Sequence, residues 1–295
     1  MSRNISFINL KGGVGKTTLT VAVAEILSIE FNKKVLVIDL DPQTNATVLL
    51  ISQEEWEKRN NENRTIHQLF FDKIENTNVF DINEAIISNV SNIKNKDGNL
   101  DLLPSSIDLI DITDEISALN RNNRIIDIIN SELQKKDVND KRVVDKYDYI
   151  LIDCPPNLGG ITMCGVYISN YYIIPVLPDT LSTYGLKQVI NKIEKKTREI
   201  KRLDKDYNIK ALGVAINRYR DTKGYNRIKD SLILSSSQEL IPEVFNSILK
   251  NKANYCDTCD LEISKNTIRQ KYGDEFKQLK EFVLEIIQRC DNHEK

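Results

Sequence analysis

The chain has 295 residues, a formal net charge of −2, 40% hydrophobic and 28% charged residues, proportions that exclude a disordered or collagen-like chain. No run approaches 18 apolar residues, which excludes a transmembrane helix, and the first residues run into Lys11 too soon for a signal peptide. Five cysteines (Cys154, Cys164, Cys256, Cys259, Cys290) are an odd number without framework spacing and point to a reducing cytosol.

Residues 5–9 (ISFIN) predict a short buried strand, followed by a Gly-rich turn and a helix over about 17–31 with Leu19, Val23 and Leu27 on one face. Residues 35–40 (VLVIDL) form a near-continuous apolar run, as in a strand covered on both faces of a parallel sheet. The polar, Asn-rich stretch 51–98 predicts a peripheral helical excursion with weak amphipathic pieces at 66–71 and 82–90. Trp56 and His67 within it are expected to be surface or local packing residues. A strand at 100–103, a helix from about 106, and a strong strand at 147–153 (YDYILID) come next. Two more strands at 171–177 and 211–217 flank a long helix from 185 to about 203. A last strand is expected at 244–249, and the closing helix over about 274–289 should bury Phe276, Leu279, Phe282, Val283 and Ile286. Strands alternating with helices predict an α/β fold: a doubly wound, mostly parallel sheet with helices on both faces. No internal repeat or linker divides residues 1–295, so a single domain is expected.

The segment Lys11-Gly12-Gly13-Val14-Gly15-Lys16-Thr17-Thr18 carries the chemistry. Strand, glycine turn, Gly-Lys-Thr and helix follow in the order that a phosphate cradle needs. Glycines let backbone N–H groups wrap a phosphate, and the helix N-terminus adds partial positive charge. In such a loop Lys16 reaches the β- and γ-phosphate oxygens and the Thr17 hydroxyl ligates Mg²⁺.

This loop resembles the deviant Walker A box of the ParA/MinD family of P-loop ATPases, with Lys11 as its additional signature lysine. The resemblance implies ATP and Mg²⁺ as ligands, and an ATP-sandwich homodimer in which Lys11 crosses to the partner's phosphates, a charge supplied in trans. Asp39-Leu40-Asp41-Pro42-Gln43 looks like the family's D-x-D-P-Q segment. By that likeness Asp41 orients the attacking water and Asp39 supports the Mg²⁺ region, at strand ends where open α/β sheets place their chemistry. Asp153-Cys154-Pro155-Pro156 resembles the Walker B strand end, with Asp153 holding a Mg²⁺ water and the prolines stiffening a loop that senses the γ-phosphate. Pro178-Asp179 with Ser182 and Gly185 look like the block that closes over the nucleoside, and Asn217-Arg218 like the base-reading strand end. An Asn amide offers one donor and one acceptor to an adenine edge.

What the dimer acts on is less sharply written. Residues 185–229 hold 14 Lys/Arg against 5 Asp/Glu, a local +9 on a chain whose remainder carries −11. That asymmetry permits a basic face, and it favours a ParA/Soj-type partition ATPase, which the resemblance pairs with nonspecific double-stranded DNA and a ParB-type centromere-binding adaptor. The DNA-binding candidates are Lys187, Lys195, Arg198, Arg220, Lys223, Arg227, Lys250, Lys252 and Arg269, any of which could equally be a solvated helix surface. Such a protein is cytoplasmic and nucleoid-associated. With the loop beginning at residue 11, an N-terminal helix-turn-helix and specific operator binding are not expected.

Three alternatives stay open. A MinD-like membrane-cycling ATPase needs a basic amphipathic terminal helix, whereas the last helix carries Glu275, Glu281 and Glu285, so no membrane is expected. An Mrp-type iron–sulfur carrier would use Cys256 and Cys259, although a lone C-x-x-C also arises by chance or in a turn. A nucleotide-gated scaffold for a non-DNA cargo is the third. Partner recognition or dimer specificity is the expectation for the excursion, with deletion of residues 52–64 sparing ATPase activity.

Overall fold

The computed structural model describes residues 2–91, 93, 99–121, 125–137, 139–202, 204–250 and 265–294. Six strands, β1 (Arg3–Phe7), β2 (Val35–Asp39), β3 (Leu100–Leu103), β4 (Tyr149–Asp153), β5 (Tyr171–Val176) and β6 (Lys210–Ile216), form one sheet in the order β3-β2-β4-β1-β5-β6. Every pairing is parallel, so the described sheet is wholly rather than mostly parallel. Its strands are buried on both faces, as the apolar runs at 35–40 and 147–153 require.

Side chains alternate between two cores along each strand. Leu36, Ile38, Ile150 and Ile152 enter one core, while Val35, Val37, Tyr149 and Leu151 enter the other. The second core is closed by α1 (Lys16–Glu30) and by α12 (Phe276–Glu294), whose Phe276, Leu279, Phe282, Val283 and Ile286 are all buried as the sequence predicts. Each such side chain contributes about 1.5–3 kcal/mol on burial. The helix runs on to Glu294, where Asp291 and Glu294 clamp Arg3 of β1 at 2.5 and 2.7 Å.

After β2 the chain forms α2 (Asn45–Leu50), α3 (Gln53–Asn61), α4 (Ile66–Glu75) and α5 (Ile82–Ala85). The excursion is less peripheral than its composition suggests: Ile66, Leu69 and Phe70 of α4, with Phe80, Ile82 and Ala85, belong to the first core. Only α3 has no buried residue. Beyond β3 lie a 3-10 turn (Ile107–Ile110), α6 (Thr113–Arg121) and α7 (Ile128–Leu133), and α8 (Gly160–Tyr167) follows β4.

Next come α9 (Thr180–Lys201), α10 (Lys223–Ser237) and α11 (Ile268–Tyr272). The long helix after β5 thus begins at Thr180 rather than 185, because Gly185 has open space around it and does not break the helix. Residues 244–249 are not a strand. Phe245 N–H donates to Val214 and Leu249 N–H to Ile216, so four residues on one side span two on the other. The surplus is drawn off by Glu285 of α12, whose carboxylate accepts from the N–H groups of Asn246 and Ser247 at 3.0 and 3.2 Å.

Candidate active site

The turn between β1 and α1 enters the helix through Gly15, whose φ of +85° is a left-handed conformation. Gly13 also has positive φ, and a Cβ on Gly12 or Gly13 would meet nothing within 4 Å. The space above them is a cleft of about 490 Å³ lined by Gly12, Gly13, Gly15, Lys16, Thr17, Thr18, Asp41, Gln43, Arg218 and Pro156, among others. Thr17 and Thr18 occupy the first turn of a 15-residue helix, so free N–H groups and the positive dipole end face that space. Lys16 is 6% exposed, and burial lowers its ammonium against the pull of Asp153 and Asp41. Val14 is wholly buried and anchors the turn rather than lining the cleft.

Two acids stand abreast at the strand ends, because Asp39 of β2 is in register with Asp153 of β4. Both are fully buried. Asp39 accepts from the Thr47 hydroxyl at 2.7 Å, from Thr47 N–H at 2.9 Å and from Asp41 N–H at 3.0 Å. Desolvation nevertheless outweighs these bonds and pushes its carboxyl up to about 7. Asp153 is raised well above the ordinary carboxylate range, mainly by burial and by Asp39, and the Thr17 hydroxyl opposes this by donating to it. Among the described residues, Asp153 Oδ2 has no hydrogen-bond partner. An orphaned buried carboxylate oxygen beside a threonine hydroxyl fits a hard divalent cation with oxygen ligands, so Thr17 and Asp153 are the residues suited to Mg²⁺. Asp39 instead spends its carboxylate on the β2–α2 turn.

Asp41 is 6% exposed and lines the cleft, its Oδ1 accepting from Gln43 N–H at 3.0 Å. Lys11 lies outside the loop and pairs with Asp179 at 2.8 Å, while its N–H donates to Asn9 Oδ1 at 2.9 Å. Pro178 is buried beside that pair and does not line the cleft. Asn217 donates from Nδ2 to Val14 carbonyl at 2.9 Å and accepts Arg218 N–H on Oδ1 at 2.9 Å. One amide N–H and one oxygen lone pair are used in these bonds, which leaves one donor and one acceptor site on Asn217. Arg218, at φ +51°, donates to Gly13 carbonyl at 3.0 Å and walls the cleft.

Asn9, Thr47 and Ser105 are the site residues that sequence reasoning missed. Asn9 ties the Lys11 turn to Pro175 carbonyl at 2.6 Å, and Thr47 and Ser105 hold the acidic turn. Only their position beside the matched motifs signals them. Cys154 is fully buried, and desolvation pushes its thiol far up, which leaves no thiolate for chemistry.

The structure divides the basic candidates. Arg220, Lys223 and Arg227 are exposed at the end of β6 and the start of α10, and Lys250 bridges to Tyr219 next to them. Tyr219 and Tyr225 pack edge to face there, with the Lys229 ammonium over the Tyr219 ring at 5.8 Å. Lys187, Lys195 and Arg198 are exposed on α9, which packs against α10. Arg269 is apart from them, on α11, its guanidinium over Phe276 at 5.3 Å. Lys252, Cys256 and Cys259 lie outside the described residues, and among the described residues no cluster of acids, histidines and cysteines could hold a metal ion by itself. No described helix is long and apolar enough to cross a membrane.

Residues 2–206 match the family described as "AAA domain". The chain is 32% identical over 194 residues to the sporulation initiation inhibitor protein Soj of Bacillus subtilis, covering 65% of each chain. It therefore spans a little under two thirds of that relative's length. Among solved structures it resembles a plasmid partition protein of Borrelia burgdorferi bound to AMPPNP (TM-score 0.66, 22% identity, 98% of this chain and 99% of that one). It also resembles a cobyrinic acid a,c-diamide synthase of Mycobacterium smegmatis with bound ATP analogue and magnesium (TM-score 0.71, 22% identity, 99% and 97% covered). At that identity the two structures establish the common fold.

Proposed function

The chain belongs to the ParA/Soj-type ATPases, and we propose that it is a DNA-segregation ATPase. The whole chain works as one ATPase domain that dimerises around ATP, binds duplex DNA without sequence preference, and is released when a ParB-type adaptor stimulates hydrolysis. This places it in the cytoplasm, on the nucleoid. The observation that carries the reading is the pair of lysines, with Lys16 buried in the loop and Lys11 outside it, paired with Asp179 at 2.8 Å. On this reading one cation serves its own site and the other crosses to the partner's.

Thr17 and Asp153 would hold Mg²⁺, which when bound would supply charge that offsets the phosphate oxygens. Lys16 and the N–H groups of the loop bind and orient the phosphates. Asp41 positions the attacking water and takes up its proton as the bond from water oxygen to the γ-phosphorus forms and the bond from that phosphorus to the β–γ bridging oxygen breaks, with ADP as the leaving group. Lys11 exchanges Asp179 for the partner's phosphates and stabilises the leaving charge. Arg220, Lys223 and Arg227, with Lys187, Lys195, Arg198 and Lys250, supply sequence-independent phosphate contacts. The membrane-cycling alternative loses support because α12 spends its apolar face on the core.

Sedimentation of the wild type, Lys11→Ala and Asp41→Ala with ATP or ADP tests the reading. The wild type should dimerise with ATP only, Asp41→Ala should stay dimeric because ATP persists, and Lys11→Ala should bind ATP as a monomer. A Lys11→Ala protein that dimerises as the wild type does would refute the trans role.

A further inference from the structure

The loop at the end of β2 is held from outside by a short run of hydrogen bonds that begins on α3. Trp56 Nε1 donates to Ser105 carbonyl at 3.1 Å. The Ser105 hydroxyl donates to Asp41 carbonyl at 2.9 Å, and Ser105 N–H donates to Thr47 Oγ1 at 3.0 Å. Thr47 in turn donates to Asp39. Ser105 is fully buried, so both of its bonds are made away from competing water and hold a fixed geometry. It is the only described residue seen to bond both the Asp41 main chain and the side chain that fixes Asp39.

Helix α3 differs from its neighbours in how it is attached. None of its residues is fully buried: the partly buried Trp56 ring packs against the second core, and side-chain bonds supply the rest, Trp56 to Ser105, Arg59 to Glu84 carbonyl at 2.9 Å and Asn60 to Asp108 at 3.0 Å. A helix held by one partly buried ring and a few side-chain bonds is easily displaced. Here the displacement has a direct path to Asp41, two hydrogen bonds long.

We propose that Ser105 is a positioning residue for Asp41 and that Trp56 braces it, so that the set of α3 against the core governs the rate of hydrolysis. The inference rests on the reading of Asp41 as the residue that orients water. It predicts, against the expectation for deletion of residues 52–64, that this deletion lowers ATPase activity, since it removes the brace.

The test is steady-state ATPase activity of the full chain, with nucleotide affinity and melting temperature measured on the same samples, for Ser105→Ala, Trp56→Phe, their double variant and Asp41→Ala. Ser105→Ala should lower kcat roughly tenfold, a loss of the size that small misplacements of a reacting group produce, with ATP affinity unchanged. Trp56→Phe removes the N–H donor and shrinks the indole to a phenyl ring; it should lower kcat by a smaller factor, and by more than any accompanying fall in melting temperature accounts for. The double variant should be no slower than Ser105→Ala, because both act through one chain of bonds. If Asp41→Ala abolishes turnover while Ser105→Ala and Trp56→Phe keep the wild-type kcat, the brace is overturned and the reading of Asp41 stands. If Asp41→Ala turns over normally, the underlying reading fails. Loss of ATP affinity in parallel with kcat in both brace variants would mean a merely structural role and would also overturn the proposal.

Discussion

Gly15 shows how closely the phosphate loop depends on single atoms. Its φ of +85° suits glycine, and a Cβ there would land on the Asn217 amide that clamps Val14. Strain and collision both fall on the loop, so Gly15→Ala should weaken ATP binding by at least about tenfold, the equivalent of roughly 1.4 kcal/mol. Titration with a fluorescent ATP analogue checks this, and an affinity equal to wild type would contradict it. The glycine itself was legible in the sequence, because only a turn into a helix explains Gly-Lys-Thr after a strand. Its partner was not, since Asn217 comes 202 residues later and nothing in its neighbourhood says that its amide donates to the loop.

At the scale of elements, α1 carries Lys16 and Thr17 at one end and is pinned further along by a buried ion pair. Glu25 is fully buried and meets Lys271 at 2.7 Å and the Tyr272 hydroxyl at 2.6 Å, both on α11. Removing one partner leaves a buried charge uncompensated, so Lys271→Met should cost about 3–5 kcal/mol, and Glu25→Gln with Lys271→Met should recover much of it. Urea unfolding of Lys271→Met and of the double variant measures this; a Lys271→Met protein within about 0.5 kcal/mol of wild type would contradict the coupling. Strands were read well because their apolar runs reflect burial on two faces, a property of the strand alone. Helix α8 was invisible because it is buried nearly all round and has no polar face to set a period. Residues 244–249 misled in the opposite direction. Their apolar pattern is that of a strand, but Glu285 takes the N–H groups that a ladder would need.

For the whole molecule, the register that sets Asp39 beside Asp153 brings two distant motifs to the mouth of one cleft. The order of motifs predicted that meeting; the amphipathic period of α4 hinted that the excursion joins the core, and its composition hid it. The end of β6 joins the two functions in the account. Asn217 and Arg218 bond the phosphate loop, and within two residues the chain reaches exposed Arg220 and the basic start of α10. Nucleotide and nucleic acid would therefore be read by adjoining turns of one strand end. The most direct test is binding to random-sequence duplex DNA with ATP, with ADP and without nucleotide, over a salt series. Binding with ATP only, with log affinity falling linearly against log salt, is the predicted result. Equal binding in all three states, or none with ATP although the dimer forms, would contradict an ATP-gated DNA-binding ATPase.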